Sequence, residues 1–126
     1  MNLKAFSDER GSLLPIEFPD LPFKPQRIFV VTNVPENKWR GEHAHFKTTR
    51  LLICLKGKIK VKLISGKETK RVTLRPFEQV LIPPMVWDAQ QFQSPTDVLL
   101  VLCNNLYDAR DYIRDFNTYQ ELCEKS

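Results

Sequence analysis

Short apolar runs alternate with turn signals along most of the chain. The runs of strand length are rich in Val, Ile, Leu or Phe and cover residues 27–34 (RIFVVTNV), 50–55 (RLLICL), 58–64 (KIKVKLI), 70–74 (KRVTL), 79–84 (QVLIPP) and 97–103 (DVLLVLC). Segments rich in Pro, Gly, Asn or Ser separate them, among them PENKWRG, SGKE and QSPTD. In KIKVKL, lysines alternate with apolar residues, which is typical of a strand with one solvated and one buried face.

A helical period appears only near the end of the sequence. Residues 108–125 (DARDYIRDFNTYQELCEK) fit one short amphipathic helix. Closely spaced strands followed by a terminal helix favour an all-β sandwich or barrel over a βαβ fold. A length of 126 residues with 42% hydrophobic composition suits a single domain over residues 1–126.

The net charge of +4 restricts the class of partner. Lys and Arg are spread along the chain, which suits a small phosphate-bearing molecule and argues against nucleic acid. No segment approaches the roughly 18 apolar residues of a membrane span, and the start MNLKAFSDER lacks a signal-peptide core. We therefore expect a cytoplasmic protein without a membrane partner.

Both histidines of the chain lie in the segment WRGEHAHFKTTR. On a strand, His43 and His45 project from the same face and Ala44 projects from the other. Two neighbouring imidazoles suit metal ligation or proton transfer on a bound substrate. Two solvated histidines at the rim of a barrel fit the same spacing, so the pattern alone leaves these alternatives open.

Two segments resemble the motifs of the cupin fold. GEHAHFKTTRLLICLKG is similar to the first cupin motif, with its HxH and closing Gly57, and PPMVWD is similar to the second, ending at Asp88. His43, His45 and Asp88 would then form a two-histidine, one-carboxylate set of the kind that holds non-heme iron. Arg50 stands where metal-binding cupins carry Glu, and its positive charge repels a divalent cation.

The flanking segments narrow the resemblance to one family. DERGSL, RIF, RGEHAH, LLICLKG, IPPMVW and YDARDYIRDF together resemble the cupin 3,4-ketoisomerases that act on TDP-4-keto-6-deoxyglucose, the WxcM-like sugar enzymes, over nearly the whole chain. The resemblance implies a cupin, or jelly-roll, barrel with a short C-terminal helix. It also implies a reaction that moves the carbonyl between C4 and C3 of a dTDP-linked hexose through an enediol, with no cofactor and no metal. A homodimer with an exchanged N-terminal strand is a further implication.

The same resemblance implies the roles of individual residues. His43 is the leading acid/base candidate, and His45 lies beside it in the same pocket. For Asp88, which departs from the family pattern, three roles stay open: orienting an imidazole, taking part in proton transfer, or being a rim carboxylate. The substrate-binding candidates are arginines for the diphosphate together with other pocket residues: Arg10, Arg27, Arg40, Phe29, Arg50 and Trp87. For Trp87, stacking on the sugar or base and packing in the core are equally open.

Several positions depart from the usual family pattern. Phe29 replaces a Tyr whose hydroxyl shares the acid/base work, and Phe46 replaces a Lys. Arg50 replaces a Gln, and Asp88 replaces a His. The loss of the hydroxyl motivates a second hypothesis, a sugar-nucleotide-binding protein without catalysis. We expect the tail residues Tyr107, Asp111, Tyr112 and Arg114 to have structural roles, holding the tail to the barrel or to a partner subunit.

Overall fold

Two antiparallel sheets make up most of the computed structural model, which describes residues 3–125. The strands are β1 (Phe6–Asp8), β2 (Gly11–Leu13), β3 (Arg27–Val31), β4 (Trp39–His45), β5 (Arg50–Lys56), β6 (Ile59–Ser65), β7 (Glu68–Leu74), β8 (Gln79–Ile82), β9 (Trp87–Phe92), β10 (Val98–Cys103) and β11 (Tyr112–Ile113). Helix α1 spans Phe116–Glu124, and 3-10 turns cover Phe18–Asp20 and Ala109–Asp111. The predicted all-β fold with a short C-terminal helix is confirmed.

The sheets differ in size and enclose the main core between them. One has the strand order β3, β10, β5, β8, and the other has the order β11, β4, β9, β6, β7. Apolar residues from both sheets meet in one buried cluster, including Leu52, Leu99 and Val101 from the first and Val61 and Phe92 from the second. Strands β1 and β2 form a separate N-terminal hairpin. No helix within residues 3–125 has the length and apolar character that crossing a membrane requires.

Each apolar run identified in the sequence contains a strand, but β9 was not predicted. Its sequence WDAQQF is polar, yet Asp88 and Gln90 are 0% and 5% exposed. These two side chains lie on the inner face, where a polar cavity interrupts the apolar core. A search for apolar alternation misses such a strand because its buried positions carry polar side chains.

The prediction of one helix over residues 108–125 is wrong for its first half. After the 3-10 turn, β11 pairs with β4, and Tyr112 lies opposite His45 and Ile113 opposite Ala44. Helix α1 begins only after Asp115, whose carboxylate accepts a hydrogen bond from the backbone N–H of Thr118 at 3.0 Å. This N-cap fixes the start of the helix. The tail therefore adds a strand to the larger sheet before it becomes helical.

Helix α1 packs on the outer face of the larger sheet. Ala44, Trp87, Ile113 and Tyr119 form a buried cluster there. The hydroxyl of Tyr119 donates to the carbonyls of Ile64 and Met85, at 2.7 and 2.9 Å. Because Ala44 faces this cluster, the neighbouring His43 and His45 face the interior, as strand alternation predicts.

Candidate active site

A cavity of about 420 Å³ lies between the two sheets and receives both histidines. Its polar wall is formed by Arg27, Arg40, His43, His45, Arg50, Gln90, Tyr112 and Arg114, and its apolar wall includes Phe29, Val31, Leu52, Leu99 and Val101. The lining comes from strands of both sheets, so formation of the cavity requires the complete fold. Four of the lining side chains are arginines, which gives the cavity a strong positive charge.

A β-bulge in β4 sets which side chains reach the cavity. The pairing with β9 shifts between Gly41 and His43, and the intervening Glu42 has a φ of 50°. The extra residue lets Arg40 and His43 both line the cavity although they are three positions apart. Gly41 has a φ of 88°, and a Cβ there would lie 2.9 Å from Nε2 of Gln90. The bulge therefore needs glycine at this position.

His43 is held as a neutral imidazole. Its Nδ1 lies 2.8 Å from the carbonyl oxygen of Gly41, and its Nε2 lies 3.2 Å from Nη1 of Arg50. Because a guanidinium only donates, Nε2 is the acceptor and the proton resides on Nδ1. Burial lowers the pKa of His43, the Arg50 cation lowers it further, and Asp88 partly opposes both effects. The basic atom of this ring is therefore Nε2.

His45 is buried more deeply and is anchored by a carboxylate. It is 3% exposed, and its Nδ1 lies 2.9 Å from Oδ2 of Asp111. Burial is the main effect that lowers the pKa of His45 to about 4, Arg50 lowers it further, and Asp111 opposes the shift. His45 is thus neutral near pH 7, and its Nε2 has no hydrogen-bond partner among the described residues.

Asp111 is itself firmly held. The hydroxyl of Thr48 donates to its Oδ2, and the backbone N–H of Lys47 donates to its Oδ1 at 2.7 Å. Burial raises the pKa of Asp111, but the hydrogen bonds from Thr48, His45 and Lys47 outweigh it, so the pKa lies below its ordinary value. Asp111 is therefore an ionised acceptor that fixes the proton of His45 on Nδ1.

Arg50 and Asp88 form a buried ion pair behind His43. They are 4% and 0% exposed, and Nη1 of Arg50 lies 2.6 Å from Oδ1 of Asp88. The amide of Gln90 donates to the other carboxylate oxygen of Asp88. Nε and Nη2 of Arg50 have no hydrogen-bond partner within residues 3–125. Arg50 lines the cavity, whereas Asp88 lies behind it.

This ion pair argues against the metal site that the cupin resemblance left open. The guanidinium of Arg50 contacts both His43 and Asp88, so a positive group already occupies the space between these two proposed ligands. His45 instead directs its Nδ1 to Asp111. Among the described residues, no group of three or more His, Cys, Asp or Glu side chains has an arrangement suited to a metal ion.

The other cavity arginines combine charge with aromatic contacts. The guanidinium of Arg27 lies 4.6 Å from the ring centre of Phe29 and donates to the hydroxyl of Tyr112 at 3.4 Å. That of Arg114 lies 4.1 Å from the ring centre of Tyr112. Arg40 is exposed where it lines the cavity. Guanidinium groups held in this way suit phosphate oxygens, which they bind through paired N–H donors.

The structure brings together six of the residues singled out in the sequence: Arg27, Phe29, Arg40, His43, His45 and Arg50. Trp87 is not among them. It is 6% exposed and lies under helix α1, with its ring 5.1 Å from that of Phe116, which supports core packing, one of the two roles that the sequence left equally open. Arg10 lies on the exposed N-terminal hairpin, where its guanidinium pairs with Asp8 at 2.7 Å, and it does not line the cavity of its own chain.

Several tail residues have more than the structural role that the sequence suggested. Tyr112 and Arg114 line the cavity, and Asp111 anchors His45. The predicted helix over residues 108–125 did not place these three residues at the cavity. The alternation in YIR was the available signal. Ile113 is buried under α1, whereas its neighbours Tyr112 and Arg114 line the cavity on the other face of the sheet.

Comparison with known protein families gives one consistent match. The family model described as FdtA, WxcM-like, C-terminal, matches residues 1–124. The chain is 33% identical over 127 residues to the TDP-4-oxo-6-deoxy-alpha-D-glucose-3,4-oxoisomerase of Aneurinibacillus thermoaerophilus, and the match covers 99% of this chain and 91% of that protein.

Solved structures agree with this match. QdtA, a sugar 3,4-ketoisomerase from Thermoanaerobacterium thermosaccharolyticum in complex with TDP, is 37% identical with a TM-score of 0.91, covering 98% of this chain and 91% of that one. A variant of QdtA in complex with TDP-4-keto-6-deoxyglucose is 36% identical with a TM-score of 0.90, again covering 98% and 91% of the two chains.

Proposed function

The chain belongs to the WxcM-like FdtA family, and on this premise we propose that it is a 3,4-ketoisomerase of a TDP-linked 4-keto-6-deoxyhexose. The observation that carries the proposal is a neutral imidazole, that of His43, inside a cavity lined by four arginines. The imidazole supplies a base for the carbon acid, and the arginines supply positive charge for the diphosphate and for the enediolate. Relatives that bind TDP and TDP-4-keto-6-deoxyglucose support the choice of nucleotide.

The first step is removal of the proton on C3 by Nε2 of His43, whose lone pair is released from Nη1 of Arg50 when the substrate enters. The electron pair of the C3–H bond forms the C3=C4 bond, and the carbonyl electrons move to the oxygen on C4, which gives an enediolate. The bond from Nδ1–H to the Gly41 carbonyl orients the ring and stabilises the imidazolium that forms. His43 suits this role better than His45 because it is only partly buried, whereas His45 is 3% exposed.

The second step returns the proton to the neighbouring carbon. The oxygen on C4 gains a proton, the hydroxyl on C3 loses one, and the imidazolium of His43 protonates C4. The product has its carbonyl at C3 and a hydroxyl at C4, and the enzyme regains its initial protonation state. One imidazole can serve both carbons because they are directly bonded and a small movement of the ring reaches either.

His45 positions its neighbour in this mechanism. Its ring meets that of His43 edge to face with centres 5.0 Å apart, and its bond to Asp111 prevents it from turning. Tyr112 packs against both rings, at 5.0 and 4.2 Å. Asp88, singled out in the sequence as a catalytic candidate, acts here through Arg50, since it lies behind that residue.

The diphosphate binds in this proposal to the guanidinium groups of Arg27, Arg40 and Arg114. These three are more accessible than Arg50, and each lines the cavity. Together they offset the charge of two phosphate groups without a metal ion. Phe29, beside Arg27, provides an apolar surface for the ligand.

The proposed assembly is a homodimer that exchanges its N-terminal hairpin. All residues of β1 and β2 are exposed, including Phe6 at 60% and Leu13 at 63%, and the hairpin pairs with no other described strand. Ile28 and Val30 on edge strand β3 are each 54% exposed. Apolar side chains at this exposure favour contact with a second subunit. Such an exchange would bring Arg10 toward the partner's cavity.

Two measurements test the function. Incubation with TDP-4-keto-6-deoxyglucose, followed by NMR analysis of the sugar, should give the TDP-3-keto product, and calorimetry should show TDP binding. Phe29, which lacks a hydroxyl, favours one competing hypothesis, a binding protein without catalysis. Tight TDP binding without any product would overturn the ketoisomerase function in favour of that hypothesis.

A further inference from the structure

Arg50 has unused hydrogen-bond donors beside the proposed base. Its Nη1 is shared between Nε2 of His43 at 3.2 Å and Oδ1 of Asp88 at 2.6 Å. Its Nε and Nη2 have no partner among the described residues, although the side chain is 96% buried, with a relative exposure of 4%. A buried N–H group without an acceptor is unfavourable, so such groups usually mark the place of a missing partner.

The cavity is where that partner can enter. Arg50 lines it, while the buried carboxylate of Asp88 pairs with the guanidinium from behind and itself accepts from the amide of Gln90. The ion pair prevents the guanidinium from rotating to satisfy its own donors elsewhere. A cation fixed before the substrate arrives needs no reorganisation when negative charge develops near it.

We propose, building on the ketoisomerase function above, that Arg50 binds the ketone oxygen of the substrate and stabilises the enediolate. Asp88 is the positioning residue that holds Arg50 in place. Nη1 of Arg50 lies 3.2 Å from Nε2 of His43, the base. The abstracted proton and the ketone oxygen sit on adjacent carbons, so a guanidinium this close to the base can reach the oxygen while the base reaches the proton. A base and an electrophile that adjoin each other can act on both atoms at once.

The other cavity groups are less suited to this task. Phe29 has no hydroxyl to donate. Arg27 and Arg114 lie over aromatic rings, and Arg40 is exposed, so water competes for their donors. Arg50 is the most buried of the cavity arginines, and an electrostatic contact is strongest where water is excluded.

The charge changes of the reaction support this arrangement. The Arg50 cation lowers the pKa of both His43 and His45 and so opposes protonation of the base. A negative oxygen bound to Arg50 offsets that opposition at the moment when His43 accepts its proton. No redox partner or added reagent is required, since the C3–H electron pair forms the C3=C4 bond and the carbonyl electrons move to the oxygen that Arg50 holds.

The test compares Arg50→Gln, Asp88→Asn and the double variant with the wild-type protein. The double variant matters because Arg50→Gln alone leaves a buried, unpaired carboxylate and could unfold the chain. Arg71→Gln, a change at an exposed position outside the cavity, is the matched control. Melting temperature, TDP affinity, kcat and KM are measured for each protein.

We expect kcat to fall on the order of 10² to 10³-fold in Arg50→Gln and in the double variant. TDP affinity should stay within about threefold, since the diphosphate binds elsewhere. In a further variant, Arg50→Ala, which leaves space for the ion, added guanidinium should restore part of kcat, an effect that a purely structural role would not produce. Asp88→Asn should lower kcat by less than Arg50→Gln does.

Different results separate this inference from the function on which it rests. A folded double variant with kcat close to that of the wild type would overturn the role of Arg50. Loss of TDP affinity equal to the loss of kcat, without rescue by guanidinium, would also overturn it. An inactive wild-type protein that binds TDP would instead show that the ketoisomerase function itself is wrong.

Discussion

Nδ1 of His45 lies 2.9 Å from Oδ2 of Asp111, a residue 66 positions further along the chain. The contact ties the C-terminal tail to the cavity, because Asp111 ends the 3-10 turn that precedes β11. Thr48 and the backbone of Lys47 complete the hydrogen bonds of the carboxylate. The tail therefore has a direct part in shaping the active site.

Substitution Asp111→Asn tests this link. The amide can donate to Nδ1 of His45, which would move the ring proton to Nε2 and remove the charge that holds the ring. We expect kcat to fall about 10- to 100-fold with TDP affinity unchanged. Asp108→Asn, at a partly exposed neighbour paired with Arg110, is the control. Equal kcat in both variants would show that Asp111 has no influence on the reaction.

The pH dependence of kcat/KM should show the opposite effects of Arg50 and Asp88 on the pKa of His43. The base must be neutral, and its pKa lies below the ordinary 6.5, so activity should fall only below that pH. Arg50 and Arg114 lower this pKa and Asp88 raises it. Arg50→Gln should therefore move the acid limb to higher pH, and Asp88→Asn should move it to lower pH. Shifts in the same direction would contradict the assignment of His43.

Substitution Phe29→Tyr tests whether the site lacks a proton donor. Phe29 lines the cavity beside Arg27, at a position where the family resemblance implies a tyrosine. If Arg50 holds the developing charge, the added hydroxyl should change kcat by less than about threefold. Product formation measured by NMR provides the rate. An increase of tenfold or more would mean that the missing hydroxyl limits the reaction.

The N-terminal hairpin should govern assembly. Replacing Phe6 and Leu13 by Glu places charges at the proposed subunit contact, so light scattering should show a dimer for the wild-type protein and a monomer for this variant. Leu106→Glu, at a residue that is 71% exposed and lies outside the hairpin, should leave the dimer intact. A monomeric wild-type protein, or an unchanged dimer in the hairpin variant, would refute the exchange.

The sequence predicted the strands with apolar faces because their side chains pack in the core between the sheets. Alternation also placed His43 and His45 on one face of their strand, and the structure shows that this face lines the cavity. The family resemblance located most of the cavity arginines. These successes depend on local periodicity and on quoted motifs, both of which are visible without coordinates.

Tertiary contacts decided the remaining features. The polar residues Asp88 and Gln90 concealed strand β9, because the buried partner of Asp88, Arg50, comes from another part of the fold. Arg50 pairs with Asp88, which lies 38 residues further along the chain, from position 50 to position 88. No local pattern in the sequence predicts this contact. Trp87 illustrates the reverse case, since a large aromatic side chain fits a binding site and a core equally well until its neighbours are known.

The central claim is that His43 takes the proton from C3 of the sugar. Incubation with TDP-4-keto-6-deoxyglucose in D2O, followed by proton NMR, reports this step directly as loss of the C3 proton signal. The wild-type protein should exchange this proton, and His43→Asn should slow the exchange on the order of 10² to 10⁴-fold while still binding TDP. Exchange at the wild-type rate in His43→Asn would contradict the account.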